Sequence, residues 1–172
     1  MLAFIQTPLG QIDLQLALED APVTAGYFQE LIQAGALDGS SFFRIVGEDN
    51  ASMRSDNPIV VVQGGLTEKD PQPIAPVRHE PTSETGLKHK KWTLSAARFG
   101  PGETYASFFI CMRDEPSLDA GGARHPDGLG FAAFGQVTGG FDVVSAIFER
   151  REKTEYLKRP ITISRCALAG PA

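Results

Sequence analysis

The chain holds only two cysteines, Cys111 and Cys166, and three histidines, His79, His89 and His125, in 172 residues. Two cysteines are too few for a disulfide framework. Both sit in apolar, strand-like runs, so buried free thiols are expected. No two histidines have helical ligand spacing and no Cys-x-x-Cys unit occurs, which argues against a zinc site. There is no nucleophile elbow and no phosphate-cradling glycine loop. A Ser-His-Asp triad leaves no mark in a single sequence, because folding brings its members together. Nothing here raises one above background. Positive charge is also scarce: 16 Lys and Arg against 21 Asp and Glu leave a net charge of −5, which argues against a general nucleic-acid binder. The one basic cluster, Lys88-His89-Lys90-Lys91, is short and reads as a solvated turn. No apolar run approaches the length that crosses a bilayer. The N-terminus shows no basic segment leading into an apolar one. A cytoplasmic protein is expected, or a periplasmic one if a leader has been removed, with no nucleic-acid and no membrane partner.

What is present is enough for a core. Hydrophobic residues make up 42% of a chain whose length suits one domain over residues 1–172. Gln11 to Leu18 alternates cleanly, with Ile12, Leu14, Leu16 and Leu18 on one face of a half-buried strand. It follows a strand from Leu2 to Thr7 through the turn signal Pro8-Leu9-Gly10. Asp20, a capping residue, and Pro22 announce a helix whose apolar stripe is Val23, Tyr27, Phe28, Leu31 and Ile32, ended by Gly35. Further strands are expected at Ser41 to Val46, Ile59 to Gln63, Trp92 to Ala97, Phe108 to Met112, Ala132 to Val137 and Ile161 to Leu168. A second helix fits Phe141 to Phe148. Eight strands and two helices without strand–helix alternation argue against a doubly wound sheet. The class is mainly β, and periodicity alone leaves sandwich and barrel open.

Three connections are long. Gly47 to Pro58 is rich in polar side chains that are not expected to bury, among them Asn50, Arg54 and Ser55. Asp119 to Gly130 carries five glycines or prolines around Arg124-His125. Thr67 to Lys91 is irregular. Loops of this length in a compact domain are usually functional or disordered.

Two apolar strand signals each carry one polar side chain out of place: Arg44 within Ser41-Phe42-Phe43-Arg44-Ile45-Val46, and Gln63 at the end of Val60-Val61-Val62-Gln63-Gly64-Gly65. A guanidinium is costly to bury without a partner or a task. An edge-strand arginine whose head stays wet is the plain alternative. These blocks, followed in order by Leu94-Ser95-Ala96-Ala97-Arg98, Ser107-Phe108-Phe109-Ile110-Cys111 and Phe134-Gly135-Gln136-Val137, resemble the cyclophilin family of peptidyl-prolyl cis/trans isomerases, in its bacterial branch. The resemblance covers nearly the whole chain. It implies a closed eight-stranded antiparallel barrel with a helix at each end, and rotation about X-Pro bonds in unfolded or flexible protein chains.

The resemblance implies that Arg44 is the catalytic arginine and that Gln63 binds the substrate backbone. Phe109 would form the floor of a proline pocket, lined by Leu118, Val60 and Val61, with Phe131 at its edge. Arg98 and Ser107 would complete the substrate-binding set. Phe43, Val60, Ser107 and Ser117 depart from the family's usual residues. The expected partners are proline-containing peptides and unfolded proteins, bound by a monomer, with no cofactor and no metal. Two rival readings remain: a proline-motif binding module with the same groove and little turnover, and a β-barrel carrier of a small ligand, which a polar Arg44 and Gln63 disfavour.

Overall fold

The computed structural model describes residues 1–52 and 56–170. In chain order the elements are β1 (Leu2–Thr7), β2 (Gly10–Leu16), α1 (Pro22–Gln33), β3 (Ser41–Val46), β4 (Val61–Gly65), α2 (Thr82–Thr85), β5 (Thr93–Arg98), β6 (Thr104–Cys111), β7 (Ala132–Gly139), α3 (Phe141–Phe148), β8 (Tyr156–Thr162) and β9 (Arg165–Leu168), with a 3-10 turn at Pro116–Leu118. One antiparallel sheet takes the order β8-β3-β4-β6-β5-β7-β2-β1-β9. The chain is mainly β, as expected, but the described residues form nine strands rather than eight. The closing strand, expected as one run from Ile161 to Leu168, is broken at Ile163-Ser164. There the Ile163 N–H donates to Ser40 and the Ser164 N–H to Gln6. The two halves thereby pair with opposite edges of the sheet, β8 with β3 and β9 with β1.

The curled sheet buries one face of each strand. Ile12, Leu14 and Leu16 are all buried, while Leu18 lies beyond the end of β2 and only partly buried. Phe28 of α1 stacks on Phe134 at 4.1 Å between ring centroids and meets Phe108 edge-on. Val144 and Ile147 of α3 join the same core. The entry to α1 differs from expectation. Its N-cap is Ala21, which offers no side-chain hydrogen bond, and Asp20 does not cap it. Instead the carboxylate of buried Glu80, far along the chain, accepts from the N–H groups of Val23 (3.2 Å) and Thr24 (2.8 Å). That satisfies the orphan donors of the first turn. Glu80 belongs to the long irregular connection, which also contains the unforeseen α2.

An irregularity in β3 sets the direction of Arg44. Phe42 faces Gly64 across β4, and Arg44 faces Gln63, so Phe43 is an extra residue in β3, and the pairing with β8 shifts at the same place. Without this bulge, Arg44 would share the inward face of Phe42. With it, Phe42 and Ile45 join the main core and Arg44 turns outward, toward the face that carries Val46. Gly64 is needed opposite the bulge, because a Cβ there would fall 2.7 Å from the Phe42 ring.

Candidate active site

On the outer face of β3, β4 and β6 lies a second apolar cluster, separate from the core. Val46, Ile59, Val61, Phe109, Cys111 and Leu118 form it, with Phe131 packed against it. Phe109 and Phe131 meet edge-on at 5.8 Å, and Phe131 is the more open ring. Gln63 pairs directly with Phe109 across the β4–β6 ladder. Register therefore fixes an amide beside an aromatic ring, and the bulge swings Arg44 up to that amide. The Arg44 Nη1 donates to Gln63 Oε1 at 3.1 Å. Gln63 Nε2 in turn donates to Ser107 Oγ at 3.0 Å, with the Tyr105 hydroxyl at 3.4 Å. This chain of contacts sets which end of the amide faces the arginine.

The guanidinium has a second holder that the sequence did not disclose. Glu155, the residue before β8, accepts from Arg44 Nε at 2.9 Å and from Nη2 at 2.7 Å, and Tyr156 places its ring 5.7 Å from the guanidinium carbon. The other oxygen of Glu155 accepts from the Ser52 N–H at 2.7 Å. Burial alone would raise the pKa of this carboxyl. The hydrogen bonds from Ser52 and Arg44, with the positive charges of Arg44 and Arg124, outweigh it and hold Glu155 below its ordinary range. Glu155 sits in the charged run Glu152-Lys153-Thr154-Glu155, where no residue stands out from its neighbours, so no sequence signal pointed to it.

Arg44, Gln63, Val61, Phe109, Leu118 and Phe131 are thus brought together. Three other expected substrate-binding residues are placed differently. Val60 is absent from the outer cluster; it precedes β4 with the parity of inward-facing Val62, and its N–H is held by Glu115 at 2.7 Å. Ser107 is fully buried, its hydroxyl donating to the Gly64 carbonyl at 3.2 Å while accepting from Gln63, so it acts through that amide. Arg98 has a side chain only 2% exposed, and each of its three nitrogens is engaged within the chain. They reach the carbonyls of Gly130 and Phe99 and both oxygens of Asp127. Its guanidinium lies over Phe131 at 4.9 Å. Arg98 is the anchor of the loop that carries Phe131, its guanidinium turned inward.

Behind Phe109 lies an arrangement with the composition of a hydrolase triad. The His89 ring contacts Asp119 through Nδ1 and Ser95 Oγ through Nε2, both at 2.8 Å, and stacks on Phe109 at 6.4 Å. Burial raises the pKa of Asp119, but hydrogen bonds from the ring and backbone N–H of His89 outweigh it and lower the result. Ser95 and the His89 side chain are fully buried. A nucleophile with no access to solvent or substrate has nothing to attack, so this chain of hydrogen bonds supports the floor of the cluster. The two thiols are buried as expected, Cys111 in the outer cluster and Cys166 in the core. Burial pushes the Cys111 thiol far up and that of Cys166 to about 12.

The polar segment from Gly47 to Pro58 does bury one side chain. Asn50 accepts from the Gly47 N–H at 2.7 Å and donates to the carbonyls of Ile45 and Glu152 at 3.0 and 2.9 Å. It is buried because those backbone groups satisfy its amide. Arg54 and Ser55, in the same segment, lie outside the described residues.

Comparison with known proteins points to one family. Residues 2–168 match the family described as cyclophilin type peptidyl-prolyl cis-trans isomerase/CLD. The chain is 33% identical over 147 residues to a peptidyl-prolyl cis-trans isomerase of Streptomyces antibioticus, covering 83% of this chain and 80% of that one. It is 30% identical to one of Acinetobacter baylyi, covering 83% and 69%. Its fold is that of a cyclophilin type isomerase of Cryptosporidium parvum, solved in the presence of the dipeptide ala-pro, with a TM-score of 0.79 at 19% identity over 99% of this chain and 100% of that one. The chain belongs to the cyclophilin-type peptidyl-prolyl cis-trans isomerases and is an enzyme of that class. No described helix is long and apolar enough to cross a membrane.

Proposed function

We propose that the chain catalyses cis/trans rotation about X-Pro bonds in unfolded or flexible protein chains, with Arg44 acting on the reacting amide and the Phe109 cluster seating the proline ring. The observation that carries this reading is the contact of Arg44 with Gln63, directly across the ladder from Phe109. The Cryptosporidium relative was solved in the presence of ala-pro, which favours the same class of ligand here.

The chemistry asks for little else. Rotation about an amide breaks conjugation, against a barrier of roughly 18–20 kcal/mol. No bond is cleaved, so no nucleophile takes part. As the amide twists, the proline nitrogen becomes pyramidal and gains a lone pair. Of the five N–H groups of Arg44, two donate to Glu155 and one to Gln63. One on each terminal nitrogen has no partner among the described residues. A donor aimed at that nitrogen binds the twisted amide better than the planar one, and this difference lowers the barrier. Phe109, Val61, Leu118 and Phe131 hold the ring through apolar contact while the preceding residue turns.

A proline-peptide isomerisation assay on the purified protein tests the reading. Arg44→Ala should lower the rate by roughly 10²–10³, the usual cost of one lost transition-state donor. Arg44→Lys should not restore it, because the donors of an ammonium sit on one nitrogen and lack the planar fork that spans Glu155, Gln63 and substrate. A folded Arg44→Ala protein with normal turnover overturns the role of Arg44. Binding without turnover by the unmodified chain would leave only a proline-motif module.

A further inference from the structure

We infer that Glu155 is a positioning residue for Arg44, and that it ties the arginine to the Gly47–Pro58 segment. The inference rests on the proposed role of Arg44. Arginine reaches its site through a long, flexible stem, and an unheld guanidinium would spend much of its time elsewhere. Glu155 takes Nε and Nη2 on one oxygen, which fixes the plane of the guanidinium. Gln63 takes Nη1. The remaining donors are therefore aimed before any peptide arrives, and ordering them costs nothing at the moment of reaction.

Glu155 is itself held on both sides. Its carbonyl accepts from the Ile45 N–H at 2.8 Å, the residue next to Arg44. Its second carboxylate oxygen accepts from the N–H of Ser52. Asn50, three residues into the segment, bonds the backbone of Ile45, Gly47 and Glu152 and so clamps the segment to the approach to β8. Both carboxylate oxygens are needed as acceptors. Glutamine offers only one, and its NH2 would face either the Ser52 N–H or the guanidinium as donor against donor. Glu155→Gln is thus nearly isosteric yet unable to serve both partners.

The test compares the unmodified protein, Glu155→Gln, Glu155→Ala, Arg44→Ala and the double variant Arg44→Ala with Glu155→Ala. Each is measured for kcat, KM and thermal unfolding. Both Glu155 variants should lose at least about tenfold in kcat with KM little changed, since a reacting group misplaced by ~1 Å can cost on the order of 10²-fold. In the Arg44→Ala background, removing Glu155 should have no further effect on kcat, because it acts through the arginine. The Nε–H resonance of Arg44 should be protected from solvent exchange in the unmodified protein and lose that protection in Glu155→Gln. Folded Glu155 variants with undiminished kcat, or losses that multiply in the double variant, overturn the inference. Normal turnover by Arg44→Ala instead overturns the role of Arg44 itself.

Discussion

At the scale of single residues, the proposed site holds each polar side chain in place and leaves two donors of Arg44 open for substrate. Arg44 is pinned by a carboxylate and an amide, Gln63 by a serine and a tyrosine, and Glu155 by a backbone N–H. None of these steps moves a proton. Turnover should therefore be flat between about pH 6 and 9, because arginine does not titrate there. Glu155 reinforces the expectation. With its pKa held below the ordinary range, it stays ionised throughout that window, and its contribution is lost only as pH falls through the depressed value. A pH profile of kcat/KM on folded protein checks this. An inflection near neutrality would point to a histidine and a different mechanism. Arg44, Gln63 and Phe109 were legible in the sequence because each breaks or completes a strand pattern inside a family block. Arg98 and Ser107 were legible as positions but not as roles. Both turn their donors inward, and only folded geometry reveals that.

At the scale of the element, the bulge in β3 decides which way the key side chain points. Deleting Phe43 should restore regular pairing and make Arg44 the direct neighbour of Phe42, still on the outer face and opposite Gln63. The expected result is a folded protein that keeps turnover, because Arg44 still meets Gln63 across β4. Phe43→Ala, which keeps the extra residue and loses only the stacking on Tyr156, should fold and retain activity. Isomerase assays with chemical unfolding compare the two. A folded deletion variant without turnover, beside an active Phe43→Ala, would show that the extra residue does more than let Phe42 and Arg44 face opposite sides. The ends of β3 matched the sequence reading residue for residue, yet the bulge inside it was invisible. Ser41 to Val46 is apolar on both faces apart from Arg44, so alternation could not reveal the extra residue. The cap of α1 was missed for a related reason: its acceptor, Glu80, comes from a distant segment rather than from the residues before the helix.

At the scale of the whole molecule, the outer cluster depends on loops that strand patterns do not describe. Arg98 fastens the loop that carries Phe131. Its hydrogen bond holds the Asp127 carboxyl well below the usual 3.8, at about 2. That pair contributes fully above the ordinary carboxylate value and is lost only as pH falls through about 2, so the loop stays fastened across the working range. Arg98→Ala should destabilise by about 1–3 kcal/mol, the cost of leaving the buried Gly130 carbonyl unsatisfied. It should also raise KM for proline peptides more than it lowers kcat, because it frees Phe131 without touching Arg44. Unchanged KM in a folded Arg98→Ala protein would show that Phe131 does not help hold the substrate. The curled sheet was legible as a set of strands, but its two edges were not, since Ile161 to Leu168 reads as one run.

β8 and β9 are neighbours along the chain yet sit at opposite edges of the sheet, so a single segment of 13 residues shields both. A chain halted before Tyr156 would bare the unpaired N–H and C=O groups of β1 and β3 at once. Each exposed edge is a template for a strand from another molecule. On the ribosome, the nascent protein is in that state until its last strand emerges. A folding catalyst would then be, for that interval, an aggregation hazard of its own.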